Sequence, residues 1–525
     1  MKVRYYLAVA LMCGLMPAAA QETYENANIA TGDLNGTARY VGMGGAMDAL
    51  GADISTIATN PAGIGLFRHS TASMSFGLVS QDGAEDFSTG NKTNLSFDQI
   101  GFVYSNRLGR SSFVNFGFNY HKSRNFNHIL KAAGRMAAGA SQNKMSYNKG
   151  VAAAENGWDF VEIKDDEVIS NDLAYSVTDY LYYNTILYNP LIDPNGKDIY
   201  HSERYMMDRA SKGYIGEYDF NISGNINDRV YLGLTVGLHD VHYKSYSEYA
   251  ELRPNHEGLG GTLLEDSREI TGLGFDLKAG VIFRPFENSP FRIGMSIATP
   301  TWYDLTTRNY TTLLIDDTNA NPETYRGLGS LSLSESYDFK LYTPWRFGLS
   351  LGHTIGNYLA LGASYEYADY GNLDSRVNDG YDYYGNETSV SDEWMNEHTK
   401  NTLKGVSTLK LGAEFKPDPA IAVRLGFNYV SPMYEKNGMK DGTLDSYGVM
   451  YQSATDCTNW KDTYRVTAGI GYRIDKLSLD LAYQYSQTDG TFRPFTDVLD
   501  ASNVADAVDI SNKRNQLLFT VGYTF

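Results

Sequence analysis

The most constraining feature of this chain is a long series of short segments, about ten residues each, in which apolar residues alternate with small or polar ones. Met74, Phe76 and Leu78 alternate with Ser73, Ser75 and Gly77; Val114, Phe116, Phe118 and Tyr120 alternate with Asn115, Gly117, Asn119 and His121. Leu273 to Phe283 carries apolar residues at odd positions with Asp276 and Lys278 opposite, and Leu517, Phe519, Val521, Tyr523 and Phe525 share a face at the end of the chain. A period of two is that of an extended strand, so each segment offers one face to an apolar medium and the other to a small or polar interior. There are about fourteen such segments. The connections alternate between short (108–110, 225–228, 285–290, 356, 416–419, 475–476) and long (81–93, 122–213, 244–266, 302–335, 371–402, 432–461, 488–513). Lipid leaves no backbone group to water, so strands that span it must close on themselves. The expected fold is all-β: an antiparallel transmembrane barrel over 71–525, with short turns on one side, long outer loops on the other and both termini on the short-turn side.

Ahead of the barrel, Lys2 and Arg4 precede an apolar run from Tyr5 to Met16 and then Pro17-Ala18-Ala19-Ala20. This is the layout of a secretory signal spanning 1–20, and the run is too short to be a membrane helix. Cys13 lies in the signal behind a poor lipobox, so the one remaining cysteine, Cys457, cannot form an internal disulfide. The chain has 44 Lys and Arg against 62 Asp and Glu, and removing Lys2 and Arg4 leaves 42 against 62. That acidic balance argues against nucleic acid as a partner and against a polybasic membrane anchor. A mean hydropathy of −0.36 with no later spanning stretch excludes a helical membrane protein. The 41 Tyr, 23 Phe and 51 Gly suit a barrel whose polar interior conceals its apolar exterior from any average.

Residues 21–70 keep neither period. They hold Gly36, Arg39, Tyr40, Gly42, Gly44, Gly45 and Ala46, then Asp53, then Asn60-Pro61-Ala62, and read as a compact irregular hatch inside the lumen. Parity slips at Asp98-Gln99 and at His239-Asp240, which calls for a bulge or the end of a strand. Within the largest loop, Ile129 to Ala138 and Asp172 to Leu187 lose the strand period and are expected to form short helices.

Chemical motifs are few. Gly348-Leu349-Ser350-Leu351-Gly352 matches a nucleophile elbow, but it lies mid-strand where no strand-to-helix turn can form, and no Ser/His/Asp grouping accompanies it. No enzyme activity and no cofactor is expected. His239 and His242 have a spacing that could hold metal, yet without further ligands they read as solvated rim histidines and no metal is expected. Asp193 to Asp198 lacks the glycine placement and closing Glu of a calcium loop and reads as a turn. By parity Lys278, Arg346, Lys410, Arg424, Arg465 and Arg473 face the lumen. Each either meets a ligand carboxylate or pairs with Asp276, Glu366, Glu414 or Asp480.

Taken together, the hatch residues Gly36, Arg39, Tyr40, Gly42, Gly44, Gly45 and Asp53 with Asn60-Pro61-Ala62 resemble the amino-terminal hatch of the FadL/TodX long-chain fatty-acid and hydrocarbon transporters. Thr343-Pro344-Trp345 and Ser431-Pro432 add weaker likeness. The terminal strand, ending on Phe525, is similar to those read by the barrel assembly machinery of the bacterial outer membrane. The resemblance implies a hatch-gated outer-membrane barrel that passes hydrophobic molecules by diffusion and releases them through a lateral opening. It would be a monomer set in outer-membrane lipid and lipopolysaccharide. The alternatives are a surface-exposed binding or structural barrel that transports nothing, and a receptor for a haem-like ligand.

Overall fold

The structure, a computed structural model, describes residues 22–155, 163–164, 167–168, 176–183, 185, 187, 201–252, 259–317, 330–385 and 387–525. The signal over 1–20 and the turn at 193–198 lie outside the described residues. Fourteen strands pair antiparallel in chain order: β1 (Thr71–Gln81), β2 (Thr93–Arg107), β3 (Phe113–Asn125), β4 (Arg204–Ile226), β5 (Val230–Leu252), β6 (Leu259–Phe283) and β7 (Arg292–Ala298), then β8 (Arg346–Ile355), β9 (Leu359–Asp369), β10 (Gly405–Asp418), β11 (Ile421–Val430), β12 (Cys457–Ile474), β13 (Leu477–Arg493) and β14 (Val508–Thr524). β14 pairs with β1 from Thr71↔Thr524 to Gln81↔Arg514, so the wall closes on itself. Phe102, Phe220, Leu234, Leu349 and Leu425 stand exposed on the outer surface, while Ser75, Asn119, Asp276, Ser350 and Thr520 on the opposite parity are buried. This is the inversion a lipid-facing wall requires. No helix among the described residues is long and apolar enough to cross a membrane.

The two parity slips have different causes. Ser75 of β1 faces Gln99 and Phe76 faces Phe97, so Asp98 is the extra residue of a bulge, as the alternation predicted. At His239-Asp240 there is neither bulge nor strand end. β5 stays in register with β4 and β6 throughout, and its inward face simply turns apolar at Val241, above the membrane belt. Several stretches expected to be loop are therefore wall: β4, β5 and β6 run 23, 23 and 25 residues. Trp302–Asp317 and Ser330–Tyr342 form a further hairpin paired to the outer part of β6.

The largest loop also departs from expectation. His128–Arg135 is a strand on β4, not a helix, because its alternation is taken up by β4 extending past the membrane. α3 (Gln142–Glu155) and α4 (Val177–Tyr183) pack against one another at the long-loop end. There Asp179 accepts from Ser146 Oγ at 2.7 Å and pairs with Lys149. Leu181, Tyr182, Tyr205 and Phe492 form the buried centre of that cap.

Candidate ligand chamber and hatch

The hatch is not irregular; it is a chain of short helices, each started by a side-chain cap. α1 (Thr23–Ala30) is capped by Glu22, α2 (Ala38–Gly42) by Thr37, the 3-10 turn Ile54–Ala58 by Asp53, and the 3-10 turn Pro61–Leu66 by Asn60. These helices are too short for a 3.6-residue period to emerge, which is why no periodicity marks them. Asp53 also takes Thr37 Oγ1 at 2.9 Å and so ties two caps together. Pro61 sits at the first helical position, where its missing N–H costs nothing.

The hatch is seated on glycines. Every wall strand from β2 to β12 except β4 presents an inward glycine to it, and β4 instead offers the Gly224 carbonyl to Gly65 of the hatch. A Cβ on Gly362 would lie 1.9 Å from Ala46 O, on Gly426 2.2 Å from Gly44 N, on Gly412 2.3 Å from Met43 O, and on Gly280 2.0 Å from Asn60 Oδ1. Gly44 itself has φ +63°, the left-handed conformation in which a side chain is disfavoured. Gly36 and Gly45 lie against Ser55 and Leu34, and Gly42 against Gly469. Tyr40 packs with Leu34, Met43, Met47 and Leu50. Arg39 locks the centre: its guanidinium makes two bonds to Glu414, at 2.9 and 3.2 Å, and a third to Ala52 O at 2.8 Å. Asn60-Pro61-Ala62 closes the far side, with Pro61 O accepting from Ser223 Oγ at 2.9 Å.

Above this floor lies a chamber of about 500 Å³. α1 hangs within it and reaches the long-loop end, where Thr23 Oγ1 meets Thr399 of α5 (Glu393–Thr402) at 2.8 Å and Glu22 pairs with Lys440 at 3.2 Å. Phe525, by contrast, lies at the short-turn end, its N–H bonded to Ser70 O. Tyr24, Phe126, Met433, Tyr434 and Trp460 supply apolar lining, and Arg124, Arg465 and Arg514 supply charge. All three guanidiniums surround the single carboxylate of Asp33, at 3.3, 3.9 and 3.9 Å respectively. Burial pushes the Asp33 carboxyl up, but the attraction of Arg124, Arg514 and Arg465 outweighs it and holds the group below its ordinary value. The bond it makes from the hatch to the wall arginines is thus complete above the ordinary carboxylate value of about 3.9 and is lost only as pH falls through the lowered one.

Of the six cations expected to face the lumen, Arg346, Lys410 and Arg465 line the chamber. Lys278 is buried outside it, held by Glu217, Asp219 and Asp276 at 2.5, 2.9 and 2.9 Å. Arg424 lies beneath the hatch between Glu414 and Asp480, at 2.7 and 2.6 Å. Arg473 does not belong to the lumen set, because it lies on the exposed short turn and donates to Asp475 O. The partners proposed from parity are all used: Arg346 approaches Asp276 at 3.5 Å and Lys410 approaches Glu366 at 3.7 Å. Sequence reasoning missed Arg124 and Arg514: Arg514 continues the inward parity of its strand beyond the membrane belt, whereas Arg124 follows a register shift in β3 between Lys122 and Arg124 that no alternation announces. It also misplaced His239, which is buried in the chamber wall and not on a solvated rim; His242 pairs with Asp240 at 2.9 Å. Ser350 lies on the inward face of β8, its Oγ against Gly294.

Because Lys278 neutralises three buried carboxylates, Lys278→Met is expected to destabilise the barrel by about 3–5 kcal/mol. The measurement is the shift of the urea midpoint in detergent micelles.

The wall beside the chamber is incomplete. β2 and β3 pair only from Gln99↔His121 toward the short turn. Beyond that rung Thr93–Phe97 of β2 bonds β1 alone and Lys122–Asn125 of β3 bonds β4 alone. The hatch fills the gap from inside: Asn35 Nδ2 donates to Asp98 Oδ1 at 2.9 Å and to Lys122 O at 3.0 Å, and Asp33 N donates to Ser123 O at 2.8 Å. Lys122 Nζ reaches across to Ser96 Oγ at 2.6 Å.

No family model and no curated protein matches the chain. Among solved structures it is similar to the Ralstonia pickettii toluene transporter TbuX, at 14% identity over 94% of this chain and 99% of that one, with a TM-score of 0.48. It is similar to a Pseudomonas aeruginosa FadL homologue at 13% identity over 97% and 100%, TM-score 0.49. The P. putida toluene transporter TodX follows at 12% over 94% and 99%, TM-score 0.49.

Proposed function

We propose that this chain is an outer-membrane channel of the FadL/TodX kind, through which hydrophobic compounds carrying an anionic group, such as long-chain fatty acids, diffuse without cofactor or energy input. The observation that carries this reading is the gap between β2 and β3, sealed from inside by Asn35 and Asp33 of the hatch. A solute in the chamber would rest its apolar part on Tyr24, Phe126 and Tyr434 and its carboxylate on the arginines around Asp33. Withdrawal of residues 32–35 then opens a sideways route into lipid. An apolar molecule leaves more readily that way than into water along the axis, since transfer to lipid costs it no hydration. In this reading the long-loop end faces outward, the short turns and Phe525 face the periplasm, and the barrel works as a monomer.

The test joins lipid-extraction mass spectrometry of the purified protein to uptake of a labelled long-chain carboxylate in cells with and without it. A co-purifying amphiphile and lost uptake in the deletion strain are expected. An empty extract with undiminished uptake would overturn the reading. The outward reach of β4 to β6, capped by α3 and α4, favours a second reading as a surface-binding barrel. Deleting residues 22–66 separates the two: uptake changes under the first, and surface binding persists under the second.

A further inference from the structure

At the edge of the chamber, where β2 and β3 part, β3, β4, β5 and β6 bring together two histidines and three carboxylates. His121, Glu217, Asp219, His239 and Asp276 are all buried, and His121, Glu217 and His239 open onto the chamber. Each carboxylate gives one oxygen to Lys278 Nζ: Glu217 Oε1, Asp219 Oδ1 and Asp276 Oδ1. The other oxygens turn to the imidazoles. Glu217 Oε2 lies 3.6 Å from His121 Nε2 and 3.8 Å from His239 Nδ1, so one oxygen is shared between two rings. The far ring nitrogens face carboxylates in turn, His121 Nδ1 at 3.5 Å from Asp219 Oδ2 and His239 Nε2 at 3.3 Å from Asp276 Oδ2.

These separations are long for hydrogen bonds, and both nitrogens of His239 and Asp219 Oδ2 make none among the described residues. They are close to the spacing of neighbouring donors around one ion: bonds of about 2.0–2.1 Å in a tetrahedral zinc site set donors about 3.4 Å apart. Two sets of donor atoms, His121–Glu217–Asp219 and Glu217–His239–Asp276, each lie within 4.8 Å of one another and share Glu217. Charge points the same way. Three buried carboxylates face one ammonium and the Arg346 guanidinium, which leaves negative charge that only the imidazole side can offset.

We propose that Glu217, His239 and Asp276, one of the two sets that lie within reach of a single ion, bind a divalent transition-metal ion at this point in the chamber wall. His121, with Asp219 behind it, faces the Glu217 carboxylate from the other side and orients it, as outer partners commonly do behind a metal ligand. Imidazole donors select zinc and its neighbours over magnesium or calcium. The acidic outer loops supply oxygen ligands only and are a separate, weaker class. The three ligands stand on β4, β5 and β6, so an ion here ties three wall strands together beside the lateral gap, where His121 on the last shared rung of β2 and β3 pairs with Glu217.

The experiment uses the full processed chain in detergent, stripped with a chelator that is then removed, and titrated with Zn2+ by calorimetry and with Co2+ by visible absorption. Wild type is expected to take up about one tight ion per chain, with Co2+ bands of mixed nitrogen and oxygen ligation. Glu217→Gln is expected to abolish that phase, and His121→Gln to weaken it about 10–100-fold. Heat-dependent gel mobility checks that each barrel is closed; if Glu217→Gln fails to close, the His121→Gln/His239→Gln pair takes its place. Binding equal in wild type and the double-histidine variant, or Co2+ spectra lacking nitrogen ligation, would overturn the proposal. Neither result bears on whether the barrel carries amphiphiles.

Discussion

Replacing Gly362 and Gly426 with valine is expected to turn a sealed barrel into an ion-conducting one. At these positions a Cβ would fall 1.9 Å from Ala46 O and 2.2 Å from Gly44 N, and both clashes are with hatch backbone. Backbone cannot rotate out of the way as a side-chain end can, so the hatch must lift along 43–46. The wall should survive, since both glycines lie in ladders continuous on either side, Gly362↔Gly412 and Gly426↔Thr467 among their rungs. Valine also suits a strand better than glycine does. Planar-bilayer recordings should show wild type essentially closed and the double variant steadily open, with gel mobility unchanged. Closed channels in a properly folded double variant would mean that the hatch is held from elsewhere and that the glycine ring is incidental.

The second large effect is expected from Arg124, Arg465 and Arg514. Converting all three to glutamine removes the surplus positive charge around Asp33 while leaving groups that can still hydrogen-bond it. A carboxylate ligand that loses two charge-assisted bonds, each worth about 1.5–3 kcal/mol, should bind at least about 100-fold more weakly. A neutral hydrocarbon of equal length gains nothing from those charges, so its affinity should stay within about threefold. Fluorescence displacement with a matched acid and alkane reads the ratio directly. Equal losses for both would show that the arginines hold the chamber's shape and do not recognise charge.

The wall was legible because a barrel repeats one local rule many times. Leu273 to Phe283, Leu517 to Phe525 and their counterparts each declare a lipid face by parity alone, and the even count and alternating connections follow from closure. The rule fails where the strands leave the membrane. Above the belt, the inward face turns apolar at Val241, Ile270 and Phe339, because there the chain covers α1 inside and meets water outside. The same inversion made His128–Arg135 look unlike a strand, and it placed His239 on a rim when it belongs to the chamber wall.

The hatch was recognised as a unit but not in its internal order. Its helices, at five to eight residues, are set by caps and by the glycine floor, neither of which leaves a period in the sequence. Pairing was foreseeable in kind but not in partner: Arg424 with Glu414 and Asp480, and Lys278 with its three carboxylates, depend on which strands are neighbours across the lumen. Alternation along the chain, a local property, determined that this protein rolls into a barrel and which residues its interior would receive. Where those residues meet was decided only by closure and stagger of the wall, which bring Asp33 to three arginines and Glu217 to two histidines from strands far apart in sequence.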